Sequence, residues 1–242
     1  MTETSHPSKL FFIFSILSAL FTLSMFYRVS SAVIAPNLMH DLGLDAENLG
    51  ILGGAFFYSF ALLQIPMGPL LDRIGPRIVI TSFSMIGALG ALVFACGNSF
   101  LVVLLGRILI GVGMASALMG SMKVFLLRFS PEKFVTLIGL IQAVGTFGNI
   151  FAASPLAFLA STVGWRMTFV IAGVVTALLA LLAFLILGEE KGDTEGLAFS
   201  SSSQPEIGIV QSFRLILGSL SFWQIGVVAF FRYGTFVSLQ GL

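Results

Sequence analysis

Three arginines, Arg28, Arg107 and Arg232, stand inside otherwise apolar stretches of the chain. A charged side chain at the centre of a bilayer costs at least about 2.5–3.5 kcal/mol, so each is a candidate for binding rather than an incidental surface charge. No carboxylate accompanies them, because all 11 acids lie at termini, in loops or at the borders of the apolar runs. A cation without a carboxylate beside it attracts an anion, and a guanidinium suits carboxylate or phosphate oxygens through charge-assisted hydrogen bonds. Ser24 and Ser31, four residues before and three after Arg28, offer hydroxyl groups near it on a helix. Tyr27, Tyr58 and Tyr233 are the only tyrosines, and all lie within apolar runs. Gln64, Gln142 and Asn149 are further polar candidates, with interhelical hydrogen bonding as their commoner use. Lys123 follows Arg107 by 16 residues. That is roughly 160° round an ideal helix, so the two face one cavity only if the helix bends at Gly111, Gly113 or Gly120. The plainer role for Lys123 is snorkelling to the headgroups. For Arg107 it is a structural arginine bonded to backbone carbonyls.

The elements that hold these residues follow from composition. Of 242 residues, 57% are apolar and 10% charged, and the mean hydropathy is +1.04. A soluble domain carries about 25% charged residues, so most of this exterior must face lipid and nucleic-acid binding is disfavoured. Cys96 is the single cysteine, which excludes an intramolecular disulfide and a cysteine-based metal cluster. A helix needs about 20 largely apolar residues to cross a bilayer. Such runs cover Leu10 to Pro36 with Arg28 inside, Leu49 to Leu71, Ile78 to Gly97, Phe100 to about Leu127, Phe134 to Gly164 with Pro155 near its end, and Met167 to Leu187. Residues 188–205, with four acids and four consecutive serines, have the composition of a polar linker. A seventh run from about Leu215 to Leu242 contains Arg232. The first run is longer than a signal-peptide core and has no clear cleavage site, so it is expected to be a retained span.

The basic residues orient these spans. A cytoplasmic N-terminus places Lys9, Arg73, Arg77, Arg128, Lys133, Lys191 and Arg214 inside and only Arg166 outside, as the positive-inside rule requires. Loop 37–47 then lies outside, and Asp45 offers an N-cap to the second span. The expected divisions are a cytoplasmic N-terminus (1–9), a six-helix transmembrane bundle (10–187), a cytoplasmic central loop (188–214) and a seventh transmembrane helix (215–242).

After the second span the chain reads Gly68-Pro69-Leu70-Leu71-Asp72-Arg73-Ile74-Gly75-Pro76-Arg77. This resembles the G-x-x-x-D-R-x-G-R-R signature of major facilitator superfamily transporters, with Pro76 in place of the first of two usual basic residues. Gly68 is expected to allow close helix approach and Gly75 a tight turn, while Asp72 with Arg73 and Arg77 forms a charge cluster that can lock one conformation. On span four, Arg107-Ile108-Leu109-Ile110-Gly111-Val112-Gly113 is similar to the family's R-x-x-x-G-x-G pattern, and Gly164-Trp165-Arg166-Met167-Thr168-Phe169 before span six is familiar in the same superfamily.

The resemblance implies an all-α polytopic membrane protein: a six-helix bundle followed by the first helix of a second, incomplete bundle. Such transporters resemble two six-helix bundles related by a pseudo-two-fold axis along the membrane normal, rocking about a central site. Residues 26–38 align with 230–242 at an offset of 204, with four identities (Phe26, Arg28, Val33 and Leu38), which pairs Arg28 with Arg232. In the family, spans one, four and seven line the central cavity. Arg28, Arg232 and Arg107 are therefore the expected anion-binding cations, with Tyr27, Tyr58, Tyr233, Lys123, Gln64 and Gln142 as further substrate-binding candidates.

The expected function is secondary active transport of a small organic or inorganic anion, in a plasma or bacterial inner membrane. The lipid bilayer and that solute are the expected partners, with a coupling ion left open. The alternative is a truncated, transport-inactive membrane protein that only binds partners or small molecules. His6 and His40 have no metal-ligand spacing, and the sequence holds no nucleophile–base arrangement, nucleotide loop or cofactor motif. No metal, cofactor or enzymatic activity is therefore expected.

Overall fold

Apolar runs form the helices of this chain, and prolines, glycines and short polar side chains set their ends. The computed structural model describes residues 7–188 and 218–240, with side chains for 8–188 and 218–231. In chain order the helices are α1 (Pro7–Val33), α2 (Ala35–Leu42), α3 (Ala46–Arg73), α4 (Pro76–Cys96), α5 (Phe100–Met114), α6 (Ser116–Arg128), α7 (Pro131–Ala152), α8 (Ser154–Thr162), α9 (Trp165–Leu187) and α10 (Leu220–Gln240). Ser8–Val33, Ala46–Arg73, Pro76–Cys96, Phe100–Arg128, Pro131–Thr162 and Trp165–Leu187 are each long and apolar enough to cross a membrane. Among the described residues there is no strand. The chain is an all-α polytopic membrane protein. It divides into two compact units, Met1–Lys191 and Gly192–Leu242, and α10 belongs to the second.

Local chemistry explains the boundaries. Asp45 accepts a hydrogen bond from the Asn48 backbone N–H at 2.8 Å, so it caps α3 as its type and place imply. Gly75, at φ 88°, makes the turn into α4, a conformation that a residue with a Cβ rarely adopts. Pro76 and Pro131 open α4 and α7, where their missing N–H is not needed.

Three spans depart from single, uninterrupted helices. The expected external loop 37–47 is largely helical, since α2 runs from Ala35 to Leu42. Pro36 cannot donate to the ladder of α1, so the helix ends at Val33 and restarts past Ile34. Leu38 on α2 is fully buried, and the Asp41 carboxylate accepts a hydrogen bond from the Trp165 indole N–H at 2.8 Å, tying α2 to the start of α9. His40 bonds the other oxygen of Asp41, and that bond, followed by the indole bond, holds the carboxyl below its ordinary pKa. Span five breaks at Ala153 (φ −85°, ψ −101°), two residues before Pro155. Span four is interrupted only at Ala115, whose N–H bonds Val112 O at 3.3 Å.

Packing gives the bundle two large apolar centres, beside a smaller one of Met67, Leu71, Val79 and Ala115. One joins Tyr27, Ile34, Leu38, Phe94, Trp165 and Phe169. The other joins Ile13, Leu17, Phe125, Ile141 and Leu187. α4 lies against α5 and α9, α1 against α7 and α9, and α3 against α5. In lipid there is little hydrophobic drive between helices, so close backbone approach matters. At Gly90 of α4 a Cβ would sit 2.6 Å from the Ile110 nitrogen of α5, so a side chain there pushes two backbones apart. At Gly139 of α7 the same Cβ meets nothing within 4 Å. The expected result is that Gly90→Ala destabilises the bundle by about 1–3 kcal/mol, the usual cost of overpacking, while Gly139→Ala is neutral or slightly stabilising. Thermal unfolding in detergent checks the pair, and equal effects would contradict this packing.

Candidate functional site

Arg107 lies at the centre of the polar structure of the first unit. It is fully buried, and it reaches from α5 to the last two turns of α1. Its Nη1 donates to Tyr27 O at 2.7 Å and to Ser30 Oγ at 3.4 Å. Its Nη2 donates to Ser31 Oγ at 2.8 Å and to Arg28 O at 3.4 Å. The Phe56 ring of α3 lies 5.0 Å from the guanidinium carbon. Among the described residues no carboxylate pairs with this charge. Four oxygens, an aromatic face and the partial negative charge at the C-terminal end of α1 balance it together. The guanidinium is thus placed within the α1–α5 packing, the structural arrangement rather than an open-cavity one.

That anchoring orients the neighbouring residues of α1. Tyr27 is fully buried, and its hydroxyl lies 3.1 Å from Thr176 Oγ1 of α9. Thr176 gives its single hydroxyl proton to Ala172 O at 2.7 Å, so Tyr27 is the donor of the pair. Arg28, one residue on, points elsewhere and is half-buried, with its guanidinium carbon 5.2 Å from the Phe60 ring centre and 5.8 Å from that of Phe57. Phe57 and Phe60, three residues apart on α3, are site neighbours that the sequence reading missed. Aromatics at helical spacing opposite an embedded arginine were the available signal.

The other candidates are dispersed. Tyr58 is exposed and lies on α3 beside Phe57. Gln64 donates to Ala115 O at 3.2 Å and so ties α3 to the interruption of span four. Gln142 is exposed on α7, and Asn149 is half-buried one turn before the break at Ala153. Ser24 is buried. The side chains of Arg232 and Tyr233 lie outside the described residues.

The loop around Asp72 also differs from expectation. Lys123 Nζ meets Asp72 Oδ1 at 2.8 Å, so this lysine is paired with the loop carboxylate instead of reaching headgroups or standing in a cavity. Arg77 of the same loop turns to α9, where its Nε donates to Phe184 O at 2.9 Å, and Arg73 is exposed. The expected cluster of Asp72 with the loop arginines is therefore replaced by an Asp72–Lys123 pair. Among the described residues nothing lies within 4 Å of a Cβ placed at Gly68.

With the helical bundle, the Asp72 loop and the embedded arginines in place, comparison with known proteins is decisive. The family model of the Major Facilitator Superfamily matches residues 14–242. The chain belongs to this superfamily. It is 34% identical over 174 residues to the uncharacterized transporter YybO of Bacillus subtilis (strain 168), a match covering 70% of this chain and 39% of that one. It is 26% identical over 172 residues to the "Probable galactarate/D-glucarate transporter GudP" of the same organism, covering 68% of this chain and 37% of that one. In fold it is similar to a bacterial homolog of the human lysosomal transporter Spinster in an inward-facing, unoccupied conformation. The TM-score is 0.73 at 23% identity, over 92% of this chain and 52% of that chain. The chain thus covers well under two thirds of the length of these relatives.

The geometry of Arg107 yields an ordering of variants. Arg107→Met removes the charge while the Tyr27 and Arg28 carbonyls keep their helical bonds. Arg107→Lys retains a buried charge and loses the fork that reaches four oxygens. The lysine variant is therefore expected to melt at a lower temperature than the methionine variant in detergent, by about 1–3 kcal/mol of stability. The reverse order would show that a single ammonium satisfies these oxygens and that the guanidinium fork is not required.

Proposed function

We propose that this chain forms one bundle, and the start of another, of a secondary transporter that moves a small organic anion by alternating access. The observation that carries the reading is the surroundings of Arg28. Its guanidinium lies inside a transmembrane helix against Phe57 and Phe60, and the six candidate spans hold their described acids only in end turns. Arg107 places a second positive charge behind it, bonded to the carbonyl of Arg28 itself. Two cations in a low-dielectric wall raise the local affinity for an anion. Arg28 is then the substrate-touching residue, Arg232 its counterpart on the seventh helix, and Arg107 a positioning residue for both Tyr27 and Arg28. A dicarboxylate appears in the name of the GudP relative, and a carboxylate is the group that a guanidinium fork recognises best.

The remaining features fit the same reading. α3 and the α7–α8 span bury only 11% and 17% of their most apolar windows, leaving faces for a further bundle to cover. The Asp72–Lys123 pair is an exposed latch between spans two and four, of the weak kind that a conformational change can break. The excess of basic residues in alternate loops supports an orientation with the N-terminus, residues 1–9, and the central loop, 188–214, in the cytoplasm, and with 10–187 and 215–242 in the plasma membrane. A coupling ion is part of this proposal only as the source of energy.

The test is a binding screen of organic acids and phosphates against the whole transporter by thermal shift, repeated on Arg28→Gln. Any anion that stabilises the native protein is expected to bind the variant roughly 30-fold or more weakly, the loss of a charge-assisted pair. Unchanged affinity in the variant would overturn the assignment of Arg28.

A further inference from the structure

The C-terminal end of α9 lacks what a helix end ordinarily supplies for itself. Its last turn carries no basic residue, and it stops at Leu187 before Gly188 at φ 63°. The last carbonyls of a helix have no intrahelical donor and carry partial negative charge. Two arginines from other helices meet them. Arg77, the second residue of α4, donates from Nε to Phe184 O at 2.9 Å, and its guanidinium carbon lies 3.9 Å from the centre of the Phe184 ring. Arg128, the last residue of α6, donates from Nη2 to Leu187 O at 2.6 Å. Phe184 and Leu187 are three residues apart, so both carbonyls open on one face of α9.

Arg77 closes the Asp72 loop, yet the Asp72 carboxylate pairs with Lys123 on α6. The side chains of that pair are 63% and 29% exposed, whereas Arg77 is stacked on a ring and bonded to a carbonyl. One short loop therefore serves two separate contacts of different strength.

We propose that Arg77 and Arg128 are positioning residues that cap the end of span six and make it move with spans three and four, independently of the Asp72–Lys123 pair. The Asp72–Lys123 contact can then open and close without releasing span six.

Hydrogen–deuterium exchange of this chain in detergent separates the two devices. Amides 184–188 are followed against amides 83–92 inside α4 as an internal reference. Arg77→Gln and Arg128→Gln are each expected to speed exchange at 184–188 about tenfold, as loss of a charge-assisted bond to a helix end implies, with the reference unchanged. Asp72→Asn is expected to leave 184–188 unchanged. Arg77→Lys, which keeps a donor and a charge at the helix end, is expected to recover part of the protection and guards against a glutamine variant that misfolds. Unchanged exchange in both arginine variants, equal acceleration by Asp72→Asn, or no recovery in Arg77→Lys would each overturn the proposal.

Discussion

A guanidinium donating to backbone carbonyls toward the C-terminal end of a helix is the interaction on which the polar structure of this bundle depends. It recurs at three helices. Arg107 bonds α1 through the carbonyls of Tyr27 and Arg28, and Arg77 and Arg128 bond α9 through those of Phe184 and Leu187. Arg166 completes the set, donating from Nη1 to Ala95 O at 3.0 Å and to Gly97 O at 2.6 Å at the end of α4 while its guanidinium lies 4.4 Å from the Trp165 ring centre. In a chain whose spans hold no mid-helix carboxylate, helix ends take the place of acids. Each bond satisfies a carbonyl and a charged donor together, and each joins two helices that apolar contact alone would hold weakly in lipid.

This arrangement divides the embedded cations by role. Arg107 has its fork committed to α1, and the same contacts set the rotation of that helix. Tyr27 is thereby turned toward Thr176 on α9, and Arg28 toward the aromatic face of α3. An arginine that neighbours a fixed positive charge and lies against two rings adds its own electrostatic pull on an incoming anion. The substrate-binding role proposed for Arg28 is thus tied to a residue that need never touch the substrate.

Much of the fold was legible because lipid imposes a simple rule. Long apolar runs must be helices, and Asp45, Gly75, Pro76 and Pro131 mark their ends by chemistry that does not depend on distant neighbours. The family resemblance was carried by the Asp72 loop and the Arg107 segment, both of which proved to be contact points. What could not be read was which atom each charge would meet. Helical spacing shows that Lys123 and Arg107 face different ways, but not that Asp72 stands opposite one and the carbonyls of α1 opposite the other. α2 was taken for loop because its polar His40 and Asp41 masked a helix fixed by the burial of Leu38 and by the Trp165 indole, both long-range contacts.

The central claim is that Arg107 holds α1 while Arg28 receives the anion. The most direct measurement is an experimental structure of the whole transporter with a bound organic anion. The account predicts an anion oxygen about 3 Å from the Arg28 guanidinium, with the Arg107 bonds to Tyr27 O and Ser31 Oγ still made. An anion bound by Arg107, released from α1, with Arg28 turned away would contradict it.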